Sequence, residues 1–246
     1  MADRAPDGMS ESGSPIYRHV RQKPFEPAAG DPEAIEAIER HIDQHLGQPE
    51  TVLHEIVSDL VHIDVHIVPP QPGRPFTMLV TTGMSDRAMS VPAGHEDLAY
   101  LELLLALPPT WQLNEKIAPF KEERNYWPIR LLKMLARLPH EYDTWLGLYH
   151  TMPNGDPPAP FDASTKLSGA IITIPKLVPE SFATVPVRPG KKIWFLAVTP
   201  TYPEELEFKL KRGAAALQAR FDKAGVSELI DPQRRNVCRK RFLGLF

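Results

Sequence analysis

The chain of 246 residues is poor in most of the features that announce a chemistry. Cysteine occurs once, at Cys238. A single thiol excludes an intramolecular disulfide and any multi-cysteine metal centre, and it fits a reducing compartment. Charge of one sign is lacking too: 28 Lys and Arg stand against 31 Asp and Glu, a formal net charge of −3. That balance gives no bulk attraction for nucleic acid or an anionic membrane. No apolar run reaches the ~18 residues that a membrane helix needs. The opening MADRAPDGMSESGSP has no apolar h-region, so it does not read as a secretory signal. The expected location is the cytoplasm. No glycine-rich loop matches a Walker A or dinucleotide fingerprint, no internal repeat is visible, and no cofactor is expected.

Proline is what the chain has in excess, 27 residues, about twice average usage. The prolines lie between apolar segments. That pattern describes many short elements joined by rigid, non-helical connections. With 42% hydrophobic and 24% charged residues, the segments can build a substantial core.

Residues 1–30 are polar, rich in Gly and Pro and without period, and read as a flexible N-terminal segment preceding a single domain over 31–246. Asp31 has the chemistry of an N-cap, with Pro32 at the first helical position. Ile35, Ile38, Ile42 and Leu46 follow at helical spacing, and Gly47 is a stop. TVLHEIV and VHIDVHIV then alternate around Ser58-Asp59-Leu60 and predict a hairpin. PPQPGRP (69–75) is a loop and FTMLVTTG a strand; LAYLELLLALPP is a buried central strand or a helix, with the strand preferred for its last half because the surrounding elements are strands. A second helix is predicted from Asn125 to Pro139. GAIITIPKL and KKIWFLAVTPTYP read as strands, and a third helix runs from Pro203 to about Ala224, before Gly225. This order predicts an α+β fold: a mixed, largely antiparallel sheet with helices packed against it.

Four places carry candidate chemistry. In HIDVH, strand alternation puts His62, Asp64 and His66 on one face, neighbours roughly 7 Å apart, with His54 on the preceding strand as a further donor. Two imidazoles and a carboxylate suit zinc or non-haem iron, while the plainer reading is the polar face of a half-buried strand. GMSD (83–86) lacks the G-x-S-x-G nucleophile-elbow pattern; Ser85 and Asp86 fit a structural turn or a share of a partner surface. PHEYDTWLGLYH (139–150) combines Glu141 and Asp143 with Tyr142, Trp145 and Tyr149, either as interface anchors or as packing at a helix end. Arg234, Arg235, Arg239, Lys240 and Arg241 make a basic tail, ordinarily solvated, otherwise a contact for an assembly partner.

Six blocks, HIDVHIVPP, FTMLVTTGMSDRAMSVP, YLELLLALPPTW, WPIRLLKMLARLPHEYDTWLG, HTMPNGDPP and TPTYPEELEFKLKRGAAALQARFDKAGVSELID, together resemble a bacterial Suppressor of fused (SUFU) domain protein over roughly residues 35–240. The resemblance implies an α+β fold and a non-enzymatic role. Animal members bind a transcription-factor peptide by strand addition, and bacterial members are commonly regarded as immunity proteins against secreted toxins. It also matches GMSD to the turn that leaves a central strand. The resulting expectation is a protein-binding module, with no nucleic-acid or membrane partner. It neutralises a cognate toxin by occlusion through Tyr142, Trp145 and Tyr149, with Glu141, Asp143, Ser85 and Asp86 on the same surface. The alternative is a metal-dependent hydrolase using His62, Asp64 and His66.

Overall fold

The computed structural model describes residues 5–21, 24–55, 58–113 and 122–239. Ile56 and Val57 of the first predicted hairpin, and Lys240 and Arg241 of the basic tail, lie outside the described residues.

Helix α1 (Pro32–Leu46) begins as its sequence dictates. The Asp31 side chain accepts the Ala34 N–H at 3.2 Å, Pro32 sits in the first turn, and Gly47 at φ +88° ends the helix. Its buried stripe is Ala34, Ile38, His41, Ile42 and Leu46.

Strands β1 (Gly8–Met9) and β2 (Pro15–Ile16) form a separate small hairpin. The main sheet contains β3 (Thr51–Leu53), β4 (Asp64–Val68), β5 (Thr77–Thr82), β6 (Leu101–Leu107), β7 (Thr151–Pro153), β8 (Gly169–Thr173), β9 (Thr184–Arg188) and β10 (Lys191–Thr201). Their order is β3-β4-β5-β6-β10-β8-β7, with β9 paired to the first half of β10. Only the β6–β10 pairing is parallel among the described strands, so the sheet is mixed and largely antiparallel.

The near-continuous apolar run LELLLAL follows from this position. Strand β6 is central and covered on both faces, so neither alternate set of side chains meets water. Leu101, Leu103, Leu105 and Leu107 join Ile63, Val65, Ile67 and Leu79 in a core with the buried side of helix α2 (Glu123–Glu141). Leu104 and Ala106 face the other way, with Met78, Val80, Phe195 and the stripe of α1. Helices α3 (Pro203–Arg212) and α4 (Ala214–Ala224) close the β8 end, where Ile171 packs on Leu217, Phe221 and Val226.

Several predicted boundaries move. Helix α2 starts before Asn125 and passes Pro139, ending at Glu141, two residues beyond the expected stop. The third predicted helix is two, because Gly213 at φ +86°, ψ 163° leaves helical geometry and caps both halves. Strand β9 carries two valines but also a proline, and its pattern shows weakly in the sequence. The N-terminal segment, expected to be flexible, is tied to the domain by backbone contacts: Ser12 N donates to Leu210 O at 2.9 Å and Leu60 N to Glu26 O at 2.8 Å.

Candidate functional site

The turn after β5 is organised around a buried acid that the sequence reading passed over. Glu102 lies fully buried in β6. One of its oxygens accepts the Ser85 hydroxyl at 2.7 Å and the Ser85 N–H at 2.9 Å; the other accepts the Thr81 hydroxyl at 2.6 Å. Burial pushes its pKa up to about 7, against the pull of those donors. The single carboxylate inside an apolar strand was the available signal, since a buried acid demands donors. Next to it, burial raises Asp86 to about 6, while Asp86 Oδ1 accepts the Asp31 N–H at 3.2 Å. Ser85 is therefore corrected from surface residue to buried ligand of Glu102. Asp86 likewise faces the start of α1.

At the far end of α2 the chain turns back sharply. Asp143 at φ +49° and Tyr149 at φ +65° both hold left-handed backbone. His140 Nε2 lies 2.8 Å from Met84 O, coupling the helix end to the turn after β5. Trp145 is half-buried, stacked on His95 at 5.8 Å and edge-on to His150 at 4.4 Å. Gly147 makes room for it: a Cβ there would sit 2.6 Å from Trp145 Cζ3. Tyr149 packs on the Ile171–Leu217–Phe221 cluster, and its N–H donates to Ile172 O at 2.8 Å. Glu141 and Tyr142 are half-buried, Asp143 is exposed, and Leu148 is 39% exposed.

The N-terminal segment crosses this elbow. Tyr17 stacks on His19, and the His19 ring lies 5.4 Å from that of Tyr142. Arg21 pairs with Asp59 and reaches Glu141 at 3.6 Å. Beyond it Glu26 pairs with Arg87. Between these fixed points Val20 and Phe25 project outward, 72% and 61% exposed. The strap and the elbow thus meet at Tyr142 and Glu141.

HIDVH is arranged differently from the alternation expected. His66 is buried, its Nε2 3.1 Å from Thr82 Oγ1, and burial lowers its pKa to about 4. It does not join His62 and Asp64, because the sheet is covered on both faces and the supposed polar face of β4 is closed. The group that does assemble is His54, His62 and Asp64, whose ligand atoms lie within 4.8 Å of one another. The predicted trio of His62, Asp64 and His66 is not formed. In the tail, Arg234 is turned inward: it binds the buried Glu205 and lies over the rings of Tyr202 and Phe221.

The model of the Suppressor of fused protein (SUFU) family matches residues 59–235. The chain belongs to this family. Structural neighbours agree on the fold. A SUFU homologue from Neisseria gonorrhoeae FA 1090 superimposes with a TM-score of 0.58 at 15% identity, covering 85% of this chain and 96% of that one. A chain of the Sufu–Fu complex gives 0.57 at 15% identity, over 86% and 93%. Drosophila Suppressor of Fused gives 0.54 at 14% identity; the match covers 87% of this chain and 52% of that protein, about half its length. No curated protein sequence matches the chain. SUFU is a family of binding and regulatory proteins, so the domain is a protein-interaction module. Among the described residues no helix is long and apolar enough to cross a membrane.

Proposed function

We propose that this SUFU domain acts without catalysis, docking a protein partner on the surface shared by the α2 elbow and the N-terminal strap. The observation that carries the reading is that a chain of similar fold has been solved in complex with a protein, in the Sufu–Fu assembly. The surface supports it in its chemistry. Tyr142 and Trp145 offer large rigid contacts on a preformed scaffold, the kind of anchor that dominates interfaces. Tyr149 supports the elbow from behind. Val20, Phe25 and Leu148 add apolar area that the chain itself leaves open. Glu141 and Asp143 lie at the rim, as charged groups commonly do.

Within that reading the partner is a toxin and the domain its immunity protein, working by occlusion in the cytoplasm. An acidic rim suits a nuclease-type toxin, whose own surface must attract phosphate. The test is co-expression with the products of adjacent genes, scoring both growth protection and co-purification. Failure of every such product to bind, and of the domain to protect against any of them, sinks the immunity role. Binding to a neighbour that is not toxic keeps the interaction module and discards immunity.

A further inference from the structure

We propose that His54, His62 and Asp64 form a binding site for a divalent transition-metal ion of the zinc class. The site needs no hydrolytic activity, and it lies beside Asp59, to which the strap is fastened through Arg21.

The register of the β3–β4 pair creates the site. Leu53 pairs with Val65, so the next step outward brings His54 opposite Asp64, the first residue of β4. His62 lies two residues before Asp64, and period-two alternation brings it back to the same side. The two oxygens of one carboxylate then face two imidazoles: His54 Nδ1 is 2.8 Å from Asp64 Oδ2, and His62 Nε2 is 3.0 Å from Asp64 Oδ1. Zinc bound tetrahedrally at about 2.0–2.2 Å holds its ligand atoms about 3.3 Å apart. Only small side-chain rotations separate the present arrangement from that one. Asp64 and His62 are partly sheltered and His54 is exposed, which leaves an open side where water completes the coordination.

A second observation favours a metal over a simple hydrogen-bonded trio. His62 Nδ1 is 2.6 Å from Ser58 Oγ, and Ser58 Oγ is in turn 3.2 Å from Glu55 Oε2. This hydroxyl–carboxylate relay behind Nδ1 is the kind of outer partner that orients a metal-bound imidazole, and it leaves Nε2 on the side of Asp64.

The surroundings set the strength. Helix α2 faces the site with Lys133, whose Nζ is 3.3 Å from Leu53 O, and Arg137, which pairs with Glu55. These cations oppose Asp64 and Glu55, so no net negative field draws the ion in. Selectivity rests on the imidazoles, which favour zinc, nickel and copper over magnesium and calcium.

The test is zinc titration of the full, untagged, chelator-stripped chain by calorimetry. The expected result is one saturable site per chain, with His54→Ala and His62→Ala each lowering affinity at least ten-fold. His54 lies 69% exposed along its side chain, so its removal leaves the fold intact. Ser58→Ala is expected to lower affinity about ten-fold, the usual scale for groups behind a ligand. His45→Ala, on α1, leaves it unchanged. No saturable binding below millimolar zinc overturns the proposal, and so does binding that survives the double change of His54 and His62. Unchanged affinity in Ser58→Ala overturns the relay.

Discussion

Ser85 gives Glu102 two hydrogen bonds, one from its backbone at 2.9 Å and one from its hydroxyl at 2.7 Å. Through that pair the turn after β5 is fastened to the central strand β6. The bond is also the means by which a fully buried acid is tolerated. Its titration is therefore part of the fold's stability.

The folded pKa of Glu102 is about 7 against an ordinary 4.5, so the native state holds this proton more tightly than the unfolded chain. The native state consequently loses stability as pH rises from 4.5 through 7, and the loss is complete above that. A shift of this size corresponds to roughly 3 kcal/mol at pH 8. Glu102→Gln keeps the shape and removes the charge. In chemical denaturation it is expected to be the more stable protein at pH 8, with the difference vanishing toward pH 5. His66 and His150, both lowered to about 4 by burial, destabilise the fold below 6.5 in the opposite direction. Comparison of variant and wild type at each pH cancels them. A difference that does not change with pH would show that Glu102 stays ionised in the fold.

Gly83 stands at φ +96°, and a Cβ there would lie 1.8 Å from the carbonyl oxygen of His62. Both the backbone conformation and the contact require glycine. Gly83→Ala should cost about 3 kcal/mol or more, read as a lower denaturation midpoint. An ordinary surface-loop effect of a few tenths would mean that the turn can separate from the 62–63 backbone without loss.

Arg234 is bound bidentately to Glu205, which has no solvent exposure. Arg234→Ala leaves that carboxylate buried with only the backbone N–H groups of Tyr202 and Val237. The expected cost is about 3 kcal/mol. Replacing both members, Arg234→Met with Glu205→Leu, should recover most of it, since the two charges need each other more than the core needs them. If the double variant is as unstable as the single one, Arg234 acts through its stacking on Tyr202 and Phe221.

The sheet was legible where one rule dominated locally. Asp31, Pro32 and Gly47 fix α1, whereas the apolar block of β6 fits a buried strand or a helix by pattern alone and only its strand neighbours favour the strand. What failed was the assumption that alternation separates a wet face from a dry one. His66 obeys period two along β4 yet is buried, because α1 packs on the face that the HIDVH pattern assigns to water. Register carried more information than alternation did: a hairpin centred on Asp59 already brings His54 opposite Asp64. Gly213 could not be weighed from pattern alone, since the apolar spacing runs unbroken from Leu206 to Phe221 across it. The elbow and the strap come together through contacts distant in sequence, Arg21 with Asp59 and His19 with Tyr142, which no local spacing encodes.

The partner surface can be separated from the core by choosing side chains that the fold does not use. Val20 and Phe25 are among the most exposed large apolar residues described, and Leu148 stands beside the elbow. Surface changes away from caps, cores and ion pairs seldom move stability by more than about 0.5 kcal/mol. Val20→Ser, Phe25→Ser and Leu148→Ser should therefore melt within a degree or two of wild type. Against a partner recovered by co-expression, Phe25→Ser should weaken binding at least ten-fold and Leu148→Ser by less, because a few large anchors carry most of an interface's energy and leucine is seldom one of them. Asp143→Lys should slow association and make it less sensitive to salt, as charged rim groups act chiefly on the encounter. Ile174, 59% exposed and outside both segments, is the control: Ile174→Ser should bind as wild type does. Weakening by Ile174→Ser with no effect from Phe25→Ser or Leu148→Ser would move the binding face off the elbow and strap.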